Sequence, residues 1–279
     1  MKVNAAIADI QKHLFDAHID EARLEAELLL RHVLRKNPVE LLLIYDIEIS
    51  DQEQSSLQLL LARRLNGEPL AYITGQREFY KLDFIVNPHV LIPRPETEHL
   101  VEQCLALAHS MPAPIIADIG TGSGAIAIAL AANLHNAKIY AVDISAEALK
   151  VAHANAMRHS FTSQIDFIHG DLLDALPEAA DILVANLPYV KSCDCSTSFE
   201  PQEALDGGNH GLDVIKRFCI MLPNKMRPNG NVLLEIGCGQ AESVVDMLQS
   251  SLPTAHITTI KDLAGIERVV WGQLKKWND

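Results

Sequence analysis

The first third of the chain carries apolar residues at the spacing of amphipathic helices. Two such stretches come before a break at Asn37-Pro38, where the residue ahead of a proline disfavours helix. Their apolar positions are Ile7, Ile10 and Leu14 in the first stretch and Leu24, Leu28, Leu29 and Leu30 in the second. Residues that recur every three or four positions share one face of a helix. The spacing therefore predicts a small helical bundle.

A further helix is predicted to begin after Ser50. Ser50 and Glu53 form a capping-box pattern, in which each side chain hydrogen-bonds to the backbone of the other residue. Apolar residues then recur at Leu57, Leu60, Leu61 and Leu65, and Asn66-Gly67 ends the pattern. No group of residues in this bundle suggests catalysis.

The pattern changes to short β-rich runs between residues 79 and 92, with Asn87-Pro88 and Pro93 as breaks. Such runs favour a β-hairpin. We therefore predict three parts: an N-terminal helical domain over 1–78, a hairpin linker over 79–95 and a larger domain over 96–279.

The larger domain alternates short apolar or β-branched runs with helical patterns. Alternation of this kind is typical of βαβ units and predicts an α/β fold with a doubly wound, mostly parallel sheet. The runs cover residues 115–118, 138–142, 165–169, 181–185, 231–236 and 256–260.

Composition narrows the class of protein. The 279 residues include 23 basic and 36 acidic side chains, which gives a formal net charge of −13. We find neither a basic surplus nor a concentrated basic stripe, so direct nucleic-acid binding is not expected. No apolar run approaches the length of a membrane span, and the first residues do not resemble a signal peptide. We therefore expect a cytoplasmic protein that does not bind membranes.

The five cysteines do not form a disulfide framework, and reduced thiols are expected. Only Cys193 and Cys195 are close together, and a structural zinc site would need a second pair. No metal site is predicted.

A glycine-rich loop follows the first strand of the larger domain. It consists of Asp118, Ile119, Gly120, Thr121, Gly122, Ser123 and Gly124. Glycines there let the backbone turn tightly and approach a ligand closely. The spacing is G-x-G-x-G rather than the G-x-G-x-x-G that is typical of dinucleotide sites, and Asp118 would repel a pyrophosphate and suit a cationic ligand.

Two further acids follow the next two strands. Asp143 lies 19 residues after Gly124, where an acid can accept hydrogen bonds from both ribose hydroxyls. Asp171 can accept from an adenine amino group, with Leu172 against the ring. Together with the loop, these acids favour S-adenosyl-L-methionine as the cofactor. The alternative is that Asp143 and Asp171 only cap helices.

The fourth strand ends in Asn186, Leu187, Pro188 and Tyr189, at the sheet edge where α/β proteins expose functional side chains. A planar amino group is a poor nucleophile because its lone pair is delocalised. Hydrogen bonds to the Asn186 side-chain oxygen and a backbone carbonyl would turn that lone pair toward a methyl sulfonium, and Tyr189 could pack against the acceptor. The alternative is an ordinary turn at the end of a strand.

The chain resembles a known family, the release factor glutamine methyltransferases, also called the HemK or PrmC family. The resemblance spans nearly the whole chain. Its motifs lie at residues 67–69, 72–75, 78–79, 91–98, 118–124, 200–201, 204–205, 211–212 and 234–237 with Gln240.

The resemblance implies a Rossmann-like class I methyltransferase with a seven-stranded sheet. It implies methyl transfer from S-adenosyl-L-methionine to the side-chain amide nitrogen of the glutamine in the Gly-Gly-Gln motif of peptide chain release factors. By position, 120–123, Asp143, Leu172 and Asn186 would contact the cofactor, and 186–189 would hold the glutamine. The N-terminal domain would bind the release factor, and we expect the chain to be a monomer.

The chain departs from the family pattern at two places. The family usually has Asn-Pro-Pro-Tyr, whereas Leu187 takes the second position here. The segment over 190–199, which contains the Cys193 and Cys195 pair, is also shorter than in the family. Two alternative functions stay open. One is methylation of an amino group on a DNA or RNA base, which can use the same acceptor tetrapeptide, and the other is a cofactor-binding adaptor whose catalysis is weakened by Leu187.

Overall fold

The computed structural model describes residues 1–195 and 199–274. The chain divides into two compact units, Met1–Gln76 and Arg77–Asp279. Each unit has its own hydrophobic core, and each is described by itself below.

The N-terminal unit is helical. Its helices are α1 (Val3–Asp16), α2 (Ala22–Leu34), α3 (Pro38–Leu43), α4 (Asp51–Leu65) and α5 (Leu70–Thr74). Helices α1 and α2 pack on each other and α2 also contacts α4, so the core of this unit lies between their apolar faces.

The apolar face predicted for the first helix is confirmed, since Ile7, Ile10 and Leu14 are buried. The face predicted for the second helix is partly wrong. Leu24 is 48% exposed, whereas Leu29 and Leu30 are buried together with Ala22 and Ala26. The buried positions follow the i, i+4, i+7, i+8 pattern, and the small alanines let α1 approach closely, so Leu24 faces away from the core.

The capping box at the start of α4 is confirmed. The Ser50 backbone N–H donates to Glu53 Oε2 at 2.8 Å, and the Glu53 N–H donates to Ser50 Oγ at 3.3 Å. A second capping box, between Asn37 and Glu40, begins α3. The Asn37-Pro38 pair therefore separates two helices and starts the second one, because a proline fits the first helical position.

A hairpin of β1 (Gln76–Phe79) and β2 (Leu82–Ile85) follows, and all of it except Gln76 belongs to the second unit. Tyr80 and Lys81 form its turn and both have positive φ, at 49° and 62°, as the commonest two-residue hairpin turn requires. Phe79 and Phe84 are fully buried and meet edge to face, with ring centroids 6.1 Å apart.

A seven-stranded sheet with flanking helices makes up the rest of this unit and confirms the predicted fold class. The strand order is β5-β4-β3-β6-β7-β9-β8. Pairing is parallel except at β9, which is antiparallel to both of its neighbours. The strands are β3 (Ile115–Ile119), β4 (Lys138–Asp143), β5 (Ile165–His169), β6 (Ala180–Ala185), β7 (Met226–Glu235), β8 (His256–Lys261) and β9 (Glu267–Gln273).

The helices of this unit connect the strands. They are α6 (Thr97–Ala108), α7 (Ala125–Asn133), α8 (Ala146–His159), α9 (Asp213–Met221) and α10 (Ala241–Ser251), with single 3₁₀ turns at Ser192–Asp194, Gln202–Ala204 and Leu222–Asn224. No helix in the described ranges is both long and apolar enough to cross a membrane.

The order of the strands reverses between β3 and β6. The chain runs outward from β3 through β4 to β5, then returns to place β6 on the other side of β3. Such a switch point opens a crevice at the carboxyl ends of the strands, where α/β proteins bind ligands. The glycine loop and the Asn186 turn both leave the sheet at this point.

Candidate active site

A cavity of about 260 Å³ lies at the switch point. Eight of the predicted site residues line it: Gly120, Gly122, Asp143, Asp171, Leu172, Asn186, Leu187 and Pro188. The lining therefore brings the glycine loop, the acids after β4 and β5, and the turn after β6 into one space. The other predicted residues are not among its lining residues: Asp118, Ile119, Thr121, Ser123, Gly124 and Tyr189.

The glycine loop needs its glycines for two reasons. Gly120, Gly122 and Gly124 have φ of 74°, 56° and 81°, which other residues rarely adopt. A Cβ on Gly120 would also come within 3.3 Å of Leu187 Cδ2. The lack of a side chain at Gly120 therefore helps the loop and the turn after β6 to approach each other closely.

Asp118 lies beneath this loop and is fully buried. Its Oδ2 accepts hydrogen bonds from the Thr121 hydroxyl at 2.6 Å and the Ala127 N–H at 3.1 Å. Its Oδ1 has no partner among the described residues. Burial raises the pKa of Asp118 to about 7, against the lowering effect of these two hydrogen bonds. Asp118 thus ties the loop to the first turn of α7.

Asp143 ends β4 and faces the cavity. Its two oxygens accept from the backbone N–H groups of Gly122, at 2.8 Å, and Ser145, at 2.9 Å. Burial raises its pKa, and the two backbone hydrogen bonds oppose that shift. Ser145, not Asp143, caps α8. The helix-capping alternative is therefore wrong for Asp143, which joins the glycine loop to the end of β4.

Asp171 pairs with Arg217 of α9, and both side chains line the cavity. A turn rather than a helix follows Asp171, so the capping alternative is wrong here too. Leu172 beside it is buried and has a φ of +48°, a left-handed conformation that is rare for leucine. Arg217 is not predicted from the sequence, because it lies 46 positions from Asp171 and no local pattern links the two.

The side chain of Asn186 is oriented by a buried neighbour. Its Nδ2 donates to Thr97 Oγ1 at 3.1 Å, and Thr97 stands at the start of α6. One Nδ2 proton is thus engaged, and Oδ1 is the acceptor atom of the carboxamide that is left for a ligand. Leu187 is only 3% exposed and packs into the core of this unit.

Tyr189 turns away from the cavity. Its hydroxyl donates to Glu235 Oε1 at 3.3 Å, and its carbonyl accepts from Gln240 Nε2 at 3.0 Å. Burial and the nearby Glu235 raise the pKa of Tyr189 to about 12. The stacking of Tyr189 on an acceptor stays a prediction.

Glu200 anchors the segment that follows this turn. Its side chain accepts from the Ile92 N–H at 2.9 Å and pairs with Arg94. No local sequence pattern links this pair, whose members lie 106 positions apart. In the short segment that contains the cysteine pair, Cys193 is exposed and Cys195 is buried, while residues 196–198 lie outside the described ranges.

Fold and site together define a Rossmann-like class I methyltransferase. A family model described as "Methyltransferase domain" matches residues 114–226. A second model, described as "PrmC N-terminal domain", matches residues 5–75. Among solved structures, a ribosomal protein L11 methylase from Lactobacillus delbrueckii subsp. bulgaricus shares this fold. It is 20% identical, with a TM-score of 0.52, and the match covers 68% of this chain and 84% of the other.

Two curated relatives identify the family. The release factor glutamine methyltransferase of Koribacter versatilis is 41% identical over 98% of this chain and 99% of its own length. The enzyme of the same name from Coxiella burnetii is 41% identical over 89% of this chain and 90% of its own length. The chain belongs to the release factor glutamine methyltransferase family, as its motifs predicted.

Proposed function

We propose that this chain transfers a methyl group from S-adenosyl-L-methionine to the side-chain amide nitrogen of the glutamine in the Gly-Gly-Gln motif of peptide chain release factors. We further propose that it does so in the cytoplasm and as a monomer. One observation carries the reaction: the glycine loop, the acid that ends β4 and the Asn186 carboxamide line one cavity. The name shared by the curated relatives supports the substrate.

The residues of the cavity fit the proposed cofactor. The nearest atom to a Cβ built on Gly122 is 4.0 Å away, so a ligand could approach the backbone there. Asp143 lies at the end of β4, where its carboxylate would accept hydrogen bonds from the hydroxyls of a ribose. Leu172 and Val214 supply apolar lining next to Asp171, a suitable surface for adenine. When bound, S-adenosyl-L-methionine supplies a methyl group on a positively charged sulfur.

Asn186 would orient the acceptor. The lone pair of a carboxamide nitrogen is delocalised into its carbonyl group, so the nitrogen reacts poorly unless it is held in a suitable geometry. The Asn186 Oδ1, and a backbone carbonyl of the turn, would accept the two N–H groups of the substrate glutamine. Such hydrogen bonds align the reacting atom and stabilise the charge that develops on it.

No side chain is needed as a strong base. The acceptor nitrogen becomes acidic once it carries the methyl group, so its extra proton leaves readily to solvent. This agrees with the three residues of the turn that line the cavity, Asn186, Leu187 and Pro188, none of which is ionisable.

The N-terminal unit is proposed to bind the release factor. This rests on the family resemblance and on the match of residues 5–75 to a domain model specific to this family. A separate binding unit explains how a small cavity can select one glutamine in a large protein substrate.

Methyl transfer with labelled S-adenosyl-L-methionine tests the function. The acceptors are a purified release factor, the same factor with its Gly-Gly-Gln glutamine replaced by alanine, and DNA or RNA. We expect label on the unaltered factor alone. Label on nucleic acid would support the base-methylation alternative instead, and cofactor binding without any transfer would support the adaptor.

Asn186→Ala is the matching change in this chain. Because it removes the carboxamide that would hold the acceptor, we expect transfer to fall by at least about 100-fold. The affinity for S-adenosyl-L-methionine, measured by calorimetric titration, should change much less. Full activity of this variant would contradict the role of Asn186.

A further inference from the structure

A fully buried asparagine of α8, Asn155, bonds to the glycine loop. Its Nδ2 donates to the carbonyl oxygens of Ser123, at 2.9 Å, and Ile85, at 3.0 Å. Its Oδ1 accepts from the Ile85 backbone N–H at 2.7 Å. A carboxamide has two N–H donors, so both are used here, and the backbone partners fix its orientation. Asn155 therefore joins the glycine loop to the end of β2.

The glycine loop also packs against the face of α8 that carries Asn155. Ala148, Ala152 and Asn155 share this face, because they are spaced at i, i+4 and i+7. A Cβ built on Gly124 would come within 3.2 Å of Ala152 Cβ, so the backbone of the loop lies close to the helix. Ala148, one turn earlier, lines the cavity. The loop is thus supported by packing at Ala152 and by a hydrogen bond at Asn155.

The segment that follows Ile85 forms a second wall of the cavity. Three of its residues line the cavity: His89, Val90 and Leu91. A turn at Asn87 connects them to β2, since Asn87 Oδ1 accepts from the His89 N–H at 2.9 Å and the Asn87 carbonyl accepts from the Val90 N–H at 3.1 Å. Because these bonds stiffen the short segment, holding Ile85 in place also restrains this wall.

We propose that Asn155 is a positioning residue for S-adenosyl-L-methionine, which holds the glycine loop and the segment after β2 in the arrangement that binds the cofactor. The inference rests on the proposed function, because that function supplies the cofactor. Asn155 is not among the described residues that line the cavity, so it acts through Ser123 and Ile85.

The role follows from the cost of ordering two backbone segments. A segment that is free to move loses conformational entropy when a ligand fixes it. If only a fraction of the molecules holds the binding-competent arrangement, the apparent Kd rises by the reciprocal of that fraction. Ile85 and Ser123 lie 70 and 32 positions before Asn155, and the helix fixes the backbone of Asn155. Bonds from this one side chain to both segments keep the competent arrangement populated before the cofactor binds.

Asn155→Asp is the first test. Aspartate keeps the shape of asparagine, but it has no donor when ionised and only one when protonated, so it cannot hold both carbonyls. We expect the Kd for S-adenosylhomocysteine, the cofactor product of the transfer, to rise by about 10-fold or more in calorimetric titration. At saturating S-adenosyl-L-methionine, kcat for the release factor should change by less than about threefold, because the bound cofactor selects the competent arrangement.

Asn155→Ser is the second test, and it does not depend on the tolerance for a buried carboxyl group. Serine leaves room for a water molecule that can bond to the freed backbone groups, so this variant should fold. Its single hydroxyl proton cannot hold both carbonyls, and we expect a similar rise in Kd. Amide hydrogen exchange of the cofactor-free protein needs no ligand. The Gly122 and Val90 N–H groups should exchange about 10-fold faster in both variants.

Asn231→Asp is the matched control. Asn231 is also a buried asparagine of this unit, and its Oδ1 accepts from Trp271 Nε1 at 3.0 Å. It lies on β7 and is not among the described residues that line the cavity. Its replacement should change the Kd for S-adenosylhomocysteine by less than about threefold. An unchanged Kd in both Asn155 variants, or an equal rise in the control, would overturn the inference.

The unaltered chain separates this inference from the function on which it rests. If it does not bind S-adenosylhomocysteine, the proposed function and the positioning role are both wrong. If it binds S-adenosylhomocysteine but does not methylate the release factor, the proposed substrate is wrong, and the Kd values of the variants still decide the positioning role. Normal methylation by the unaltered chain together with an unchanged Kd in both Asn155 variants overturns the positioning role alone.

Discussion

A fully buried carboxyl group holds the glycine loop from below. Asp118 bonds the Thr121 hydroxyl and the Ala127 N–H, and its pKa is raised to about 7 by burial. Its ordinary pKa is 3.8. Between these two values the folded protein keeps a proton that the unfolded chain releases, so the free energy of unfolding falls as the pH rises through this window.

Asp118→Asn should remove this dependence on pH. The stability of the variant relative to the unaltered protein should therefore rise between pH 4 and pH 8, by up to about 4 kcal/mol. Urea unfolding of the cofactor-free protein at several pH values measures it. Asp166→Asn, at an exposed position of β5, is the control. If the stability of Asp118→Asn and that of the unaltered protein changed with pH in the same way, the pKa of Asp118 would not be raised.

At the scale of the element, the turn after β6 is held by packing as well as by hydrogen bonds. Leu187 is buried and its Cδ2 faces Gly120. The resembled family usually has proline at this position. A proline would fix φ, whereas leucine fills space between the turn and the glycine loop. Packing by Leu187 thus replaces some of the rigidity that a proline would give.

Leu187→Pro tests that replacement. We expect methyl transfer to the release factor to stay within about threefold of the unaltered chain or to rise, because φ becomes fixed. Stability should fall by about 1–3 kcal/mol, because buried apolar groups are lost. Leu187→Ala, which loses the packing without fixing φ, is the control and should be slower. A large loss of rate in Leu187→Pro alone would show that this turn works differently from that of the family.

Most strands could be predicted from the sequence because parallel strands in a covered sheet are continuous apolar runs. Strand β9 was missed. It begins with Glu267 and Arg268 and has Gly272 near its end, so it lacks such a run. Strand β7 begins at Met226, earlier than the predicted 231. Ala180 of β6 pairs with Met226 and Ile182 pairs with Asn231, and the register is irregular between these two pairs.

The site shows the same division between local and distant signals. Asp143, Asp171 and Asn186 could be predicted because each comes directly after a strand, and parallel strands bring their carboxyl ends together. Arg217 and Thr97 could not. Each reaches the site from a helix. Arg217 lies 46 positions from its partner Asp171, and Thr97 lies 89 positions from its partner Asn186.

At the scale of the whole molecule, the net charge is negative, but basic side chains are in excess at one place on the surface. The chain carries −13 overall. In the N-terminal unit, however, Arg31, His32, Arg35 and Lys36 line one open depression of about 840 Å³. These side chains lie together because they come from the end of α2 and the residues directly after it.

Even so, we expect nucleic acid to leave methyl transfer unaffected. Affinity for a polyanion grows with the number of phosphates neutralised, and three or four basic groups on an acidic protein give little at physiological salt. The rate with release factor should change by less than about twofold when duplex DNA or RNA is added in excess. Inhibition that disappears in the double variant Arg35→Glu, Lys36→Glu would place a nucleic-acid surface at this depression.

The position of β9 has a consequence for how the protein is made. This strand is the last along the part of the chain that the structure describes, yet it lies inside the sheet between β7 and β8. A nascent chain on the ribosome therefore holds β8 with no place to pair, and it exposes the edge of β7 until residues 267–273 emerge. A premature stop just before residue 267 would keep every residue of the active site and still leave an open, aggregation-prone edge.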